Sequence, residues 1–309
     1  MDHREIQLGN RRRDFVKDVL GNQESGRGEV REFLELIRSK VQNNRIRVPV
    51  FPSNAAEALR AFEADEYDIA EVARIAQKDP GMSARLIQQA NSPAYCGMEK
   101  VPTVKMAITR MGLSQARRSI MTMAMNAVFR QDHDPVVNDY INAFWRHSIQ
   151  VAALSHLLAR CFDHLDADKA LLTGLVHNVG ALPVLAEINQ YPVIYRNEEL
   201  LYAVCAFIHE ELSALVLQRW NFDSETIQAV AGYTDVERSP SEADPVTYLD
   251  VLQAADIESR PPKGSPLTHW QEQTGKTLPA VQRVAQSSDG ELDWEKDRAG
   301  MQAINAMLA

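Results

Sequence analysis

Several residues in this chain are of the types that hold a divalent metal: His147, the adjacent pair His177 and Asn178, His209, and a late acid, Asp250 or Asp256. In a helical metal hydrolase, neutral imidazoles and anionic carboxylates converge on a cation and leave one coordination position to water. The metal lowers the pKa of that water, and the resulting hydroxide attacks phosphorus. The stretch "LLTGLVHNVGAL", residues 171–182, departs from this pattern at one side chain. Asn178 stands beside His177, between Gly174 and Gly180, where an aspartate would complete the pair. An amide oxygen is neutral, whereas hard cations such as Mg²⁺ and Mn²⁺ select carboxylate oxygen. Losing the anion also removes the charge compensation that lets a dication sit in a low-dielectric pocket.

The elements that must carry these residues read as helices throughout. "DIAEVARIAQ" opens with a capping-box-like Asp68 and Glu71 and places Ile69, Val72, Ala73 and Ala76 on one side. "DPGMSARLIQQAN" has Asp79 as N-cap, Pro80 at the first helical position, and Met82, Leu86 and Ala90 facing inward. "TVKMAITRMG" ends at Gly112, and a second helix follows Ser114. That pair has the look of a helix-turn-helix, although only Arg110, Arg117 and Arg118 are on hand for phosphates. Met121, Met123 and Met125 suit the filling of gaps between helices better than a soft-metal surface.

From residue 139 onward the helices lengthen. His147, Val151, Leu154, Leu158 and Cys161 fall on one stripe, which turns His147 inward and leaves His156, half a turn away, facing solvent. Further helices fall on "LLYAVCAFIHEELSALVLQRW", "DSETIQAVAGY" and "DPVTYLDVLQAADIE". "SRPPKGSP" reads as a loop and residues 290–309 as a closing helix, which makes the fold class all-α.

The chain has 309 residues and a net charge of −9, unevenly spread. Residues 1–48 hold 11 Lys/Arg against 8 Asp/Glu, a net +3, so the remainder carries −12. An acidic body is a poor match for a phosphate backbone, so nucleic acid is not an expected partner. The "RRR" at 11–13 reads as a solvated helix face. No apolar run is long enough to span a bilayer and no signal-peptide stretch opens the chain. Cys96, Cys161 and Cys205 are widely spaced and sit among apolar residues, as reduced core thiols of a cytoplasmic protein would.

Two long stretches of this sequence resemble the HDOD domain, a non-hydrolysing relative of the HD phosphohydrolases. "FPSNAAEALRAF…EVARIAQKDPGMSARLIQQANSPAYCG…VKMAITRMGLSQARRSI" is similar to its first half. "FWRHSIQVAALSHLLA…LLTGLVHNVGALPVL…IHEELSALVLQRW" is similar to its second. The resemblance implies an HD-like multi-helix bundle at 45–258, divided into 45–130 and 131–258. An N-terminal helical extension at 1–44 and a loop with a C-terminal helix at 259–309 flank it.

Carried across position by position, the HD pattern puts its first histidine on His147 and the histidine of its doublet on His177. Its doublet aspartate falls on Asn178, a later histidine on His209, and the final aspartate on Asp256, with Asp250 as the alternative. Ser213 stands where a glycine is usual, and Gly232 and Tyr233 where related phosphodiesterases carry paired histidines.

The resemblance therefore implies a vestigial metal site in a regulatory, non-catalytic signalling module, with no cofactor and no bound metal. Its partner would be a signalling protein supplied in trans, and a small phosphate-bearing ligand is a further possibility. Arg146 and Lys169 are the candidate anion contacts, although Arg146 suits a surface ion pair better. The competing readings are a metal-dependent phosphohydrolase acting on a nucleotide or cyclic dinucleotide, and a catalytically dead nucleotide-binding protein. Without a metal, the buried histidines need hydrogen-bond partners. The Asn178 amide, able both to donate and to accept, is expected to close that network.

Overall fold

The computed structural model describes residues 24–62, 68–95, 99–130, 135–235, 238, 244–259 and 279–287. Among the described residues there are helices and no strands. In chain order they are α1 (Glu24–Gln42), α2 (Ser53–Ala61), α3 (Ile69–Ala76), α4 (Pro80–Ala90), α5 (Val104–Met111), α6 (Leu113–Phe129) and α7 (Pro135–Ala159). Then come α8 (Ala167–Val176), α9 (Ala181–Leu185), a 3-10 turn at Ile188–Gln190, α10 (Pro192–Tyr195) and α11 (Glu198–Arg219). The chain closes with α12 (Ser224–Gly232), α13 (Tyr248–Glu258) and α14 (Pro279–Ser287). The described helices form two compact units: α2 to α6 make one, and α1 with α7 to α14 make the other.

In the α2–α6 unit the starts of the helices follow from their capping residues. Asp79 accepts hydrogen bonds from the backbone N–H groups of Gly81 and Met82, and Pro80 follows it at the first helical position. Met82, Leu86 and Ala90 are buried, as their spacing predicts. Asp68 caps α3 through the N–H of Ala70, and Val72, Ala73 and Ala76 are buried with Ile75 beside them.

Asn91 then fastens the loop that follows α4. Its Nδ2 donates to the carbonyls of Ile87 and Val101, each at 2.9 Å, and its Oδ1 accepts from Val101 N–H at 2.9 Å. Gly112, at φ 84°, ends α5 and opens α6 directly, so α6 starts at Leu113 rather than after Ser114. Met121 and Met125 are buried and Met123 is half-buried. The arginines near this turn serve the fold itself. Arg110 donates to Glu99 O at 2.7 Å, and Arg118 donates to Gln115 Oε1 at 2.9 Å.

In the other unit the α1 helix is part of the core rather than a separate extension. Val30, Phe33 and Ile37 are buried at helical spacing, and Phe33 meets Tyr191 edge-on at 4.9 Å. Glu29 Oε1 accepts from the N–H groups of Val193 and Ile194 at 2.7 and 2.9 Å and so caps α10. The segment after α1 is tied down as well, since Trp220 Nε1–H donates to Pro49 O at 3.0 Å.

The helices α7 and α8 pack along their length as a hairpin, with α13 laid against both. Gly174 permits the approach, because a Cβ there would lie 2.7 Å from Ala152 Cα. This hairpin explains a failed expectation at His156. Its side chain is only 14% exposed and its Nδ1 lies 3.0 Å from Ala167 O. The start of α8 covers the side of α7 that the helical stripe leaves open.

One helix was not legible from the pattern. α14 packs on α13, where Arg283 Nη2 donates to the carbonyls of Asp244 and Pro245 at 3.0 and 3.1 Å. Cys205 is buried and Cys161 half-buried, both as free thiols. Cys96, the "RRR" run and the expected helix at 290–309 lie outside the described residues. No described helix is long and apolar enough to cross a membrane.

Candidate functional site

Five helices of the α7–α14 unit deliver the candidate side chains, most of them held by a local device. His147 lies in the middle of α7. His177 is the C-cap of α8, whose N-terminus is fixed by Asp166 accepting from the N–H groups of Asp168 and Lys169. His209 sits on α11, started by an Asn197 cap, and Tyr233 is the C-cap of α12, started by an Asp223 cap. Asp256 lies in the last turn of α13, which opens with a capping box between Thr247 and Asp250.

The structure brings His147, His177 and Asp256 together. Their potential ligand atoms all lie within 4.8 Å of one another, and all three residues are buried. His147 Nε2 and Asp256 Oδ1 are hydrogen-bonded at 2.7 Å, and Ser259 Oγ sits 3.3 Å from His147 Nδ1. His177 Nδ1–H donates to Gly174 O at 2.6 Å, which turns a bare Nε2 toward Asp256 Oδ1 at 3.6 Å. That Nε2 is buried and has no hydrogen-bond partner. Burial pushes the His177 pKa down, and the approach of Asp256 only partly offsets this. Burial alone would raise the Asp256 pKa, but the His147 hydrogen bond and the nearby His177 hold its carboxyl well below the usual range.

His209 is engaged elsewhere. Its Nδ1–H donates to Cys205 O at 3.0 Å, and its Nε2 accepts from the Tyr233 hydroxyl at 2.5 Å. The Tyr233 ring also stands edge-on to His177, 5.4 Å between centroids. Tyr233 thus fills the space between the two histidines and uses the nitrogen that a metal would need. Tyr233→Phe removes the donor while keeping the ring, and leaves a buried imidazole nitrogen unpaired. It is expected to cost about 1–3 kcal/mol in urea-denaturation stability; a loss under about 0.5 kcal/mol would show the hydroxyl to be idle.

Asn178 does not close the network that was expected of it. It is 4% exposed, and the hydrogen bond found for it among the described residues is that of its backbone carbonyl, which accepts from Ala181 N–H at 2.9 Å. Tyr233 and Asp256 meet the needs of His209 and His147 instead. Asp250 is separated from the cluster by its own duties, accepting from Thr247 N–H at 2.9 Å and from Arg238 Nη1 at 2.5 Å. Gly232 ends α12 next to Tyr233, and a Cβ there would meet Leu249 Cδ1 at 3.0 Å.

The candidate anion contacts do not point into this cluster. Arg146 is exposed, and its Nε donates to Asn142 O at 3.3 Å on its own helix. Lys169 is paired with Asp223 at 2.8 Å and Glu225 at 2.6 Å, and lies over the Tyr248 ring.

Two supports were not singled out from sequence. Ser259 donates to Asp256 O at 2.6 Å while touching His147, and buried Glu210 accepts from Thr234 N–H at 3.0 Å behind Tyr233. Each lies within three residues of a named position, and that nearness is the only trace they leave in the sequence.

The donor set does not fit a water-bearing Mg²⁺ or Mn²⁺ centre. Two imidazoles and one carboxylate remain, the doublet position is a neutral amide, and the third imidazole nitrogen, that of His209, is held by a phenol. His147, His177, Asn178, His209, Tyr233 and Asp256 are at most 6% exposed.

The comparisons with known proteins agree with this architecture. The HDOD domain profile matches residues 48–236. A crystal structure from Shewanella amazonensis, named only provisionally as a metal-dependent phosphohydrolase, is 26% identical with a TM-score of 0.67. It covers 91% of this chain, which in turn covers 100% of it. An HDOD domain protein of unknown function from Geobacter sulfurreducens is 19% identical with a TM-score of 0.64, the cover being 92% of this chain and 97% of that one. An uncharacterised protein of Treponema pallidum is 21% identical over 216 residues, and the chain spans only 40% of its length. That match is 64% of this chain. With the profile covering more than half of the residues and the helices arranged as in the solved relatives, the chain belongs to the HDOD family.

Proposed function

We propose that this protein is a non-catalytic regulatory module that transmits a signal by binding a partner protein in trans, its HD-type metal site having been converted into a structural cluster. The observation that carries this reading is the Tyr233 hydroxyl on His209 Nε2 at 2.5 Å, which replaces a metal–ligand bond by a hydrogen bond. The His147–Asp256 bond at 2.7 Å acts in the same direction, since each residue satisfies the other without an ion. A buried cluster of this kind holds α7, α8, α11, α12 and α13 in one arrangement, which suits a scaffold whose output is its surface.

A second reading rests on a specific atom. The unpartnered His177 Nε2 would be satisfied by a single transition-metal ion shared with His147 and Asp256. Elemental analysis of protein purified without chelators, with hydrolysis of bis(p-nitrophenyl) phosphate in Mn²⁺, separates the two. The proposal expects sub-stoichiometric metal and no turnover. One ion per chain, lost in His177→Ala, would establish the metal site. Turnover that disappears with the ion would make the protein an enzyme.

A further inference from the structure

The buried His–Asp cluster offers no opening to a small anion, but the α2–α6 unit does. A hollow of about 340 Å³ lies between the start of α4 and the last turns of α6. Arg85 and Arg130 line it, and neither guanidinium makes a hydrogen bond or ion pair among the described residues. Met82 and Met123 supply apolar wall. Asn126 also lines the hollow, and its Oδ1 is buried with no hydrogen-bond partner. The remaining polar group is Asp79, whose Oδ1 is already engaged by the N–H groups of Gly81 and Met82 at 2.9 and 3.1 Å.

These groups define a ligand by parts. Two guanidiniums without a partner among the described residues match the paired oxygens of a phosphate. Methionine walls accept a flat or irregular apolar body. An orphaned amide oxygen calls for an N–H donor, because an unpaired buried acceptor is costly until one arrives. The negative charge of Asp79 steers the anionic end of a ligand toward the arginines and the donor end toward Asn126. The volume lies at the small end of the ligand-pocket range, roughly 300–1,000 Å³, which favours one nucleotide over a cyclic dinucleotide.

We infer that this hollow is a binding site for a nucleoside monophosphate, with the phosphate on Arg85 and Arg130 and an amino-bearing base against Asn126. It is a site for an input, separate from the His–Asp cluster.

The test is calorimetric titration of the full chain with adenosine monophosphate, and with adenosine and inorganic phosphate as separate arms. The nucleotide should bind, and each fragment alone should bind at least roughly tenfold more weakly. Arg85→Gln and Arg130→Gln should each weaken nucleotide binding about tenfold or more, the scale of one charge-assisted hydrogen bond. Ala127→Trp fills the hollow without removing a charge, and should abolish binding while leaving the helical circular dichroism intact. Three results overturn the assignment. One is no binding of adenosine, guanosine or cytidine monophosphate at millimolar concentration. The others are phosphate binding as well as the nucleotide does, and nucleotide binding that survives all three substitutions.

Discussion

Gly180→Ala is expected to cost more than about 4 kcal/mol of stability, a large share of the roughly 5–15 kcal/mol that holds a typical domain folded. The glycine follows the His177–Asn178 turn, and its backbone is ordinary helical, φ −66°, so conformational strain is not the reason. Space is the reason. A Cβ at this position would fall onto the His209 carbonyl oxygen and the Ser213 amide nitrogen, and 2.7 Å from Ser213 Oγ. Two of those atoms are backbone of α11 and cannot rotate away. Overpacking against movable side chains costs about 1–3 kcal/mol, and a clash between main chains exceeds it.

The same contact is reinforced by hydrogen bonds. Gly180 N–H donates to Ser213 Oγ at 2.8 Å, and that hydroxyl donates to His177 O at 2.8 Å. The methyl group would break both. Gly28→Ala is the natural control, because nothing lies within 4 Å of a Cβ there. On α1 that change should stabilise the protein by about 0.5–1 kcal/mol. Urea denaturation followed by circular dichroism measures both variants. A Gly180→Ala midpoint close to that of the parent would mean that α11 is not held against the turn.

The helices and their starts were open to sequence reading because their signals are local. Asp79 before Pro80 and Asp68 before an apolar periodic run are caps whose partners lie two or three residues away. The inward turn of His147 follows from its stripe in the same way. Its partner Asp256 is 109 residues distant, and only the resemblance to the HD pattern singled it out. What escaped depends on which surface another helix covers. His156 looks exposed on α7 alone and is covered only because α8 returns along that side. Likewise, Lys169 is a free cation in the sequence and a committed one in the fold, since its partners arrive from α12. Asn178 shows the converse limit: its chemistry as a metal ligand could be judged from residue type. Its hydrogen bonding could not, because Tyr233 and Asp256 engage the histidine nitrogens that it was expected to serve.

Asp256→Ala is expected to lower stability by about 3–5 kcal/mol, because it breaks a buried hydrogen-bonded network centred on a carboxylate. The carboxylate is buried, 2.7 Å from His147 Nε2 and 3.6 Å from His177 Nε2. Its loss leaves His147 with a buried nitrogen unpaired and takes away the anion that both imidazoles face. Asp256→Asn, which keeps an acceptor but not the charge, should fall between the parent and the alanine variant.

The pH dependence of unfolding distinguishes the contributions. The His177 pKa is lowered on folding, so as pH falls below about 6.5 the unfolded chain takes up a proton that the folded chain refuses. Unfolding free energy therefore declines first through that window. The Asp256 pKa is also lowered, and its stabilisation is complete above the unfolded carboxyl value near 4 and declines as pH falls below it. Asp256→Asn should abolish the part of the decline below about pH 4 that belongs to this carboxyl and keep the decline that begins near 6.5. Chelator belongs in every sample, so that no adventitious ion substitutes for the missing charge. If Asp256→Ala unfolds at the same urea concentration as the parent, the carboxylate does not hold the cluster together, and a bound ion becomes the better account of why two buried histidines face it.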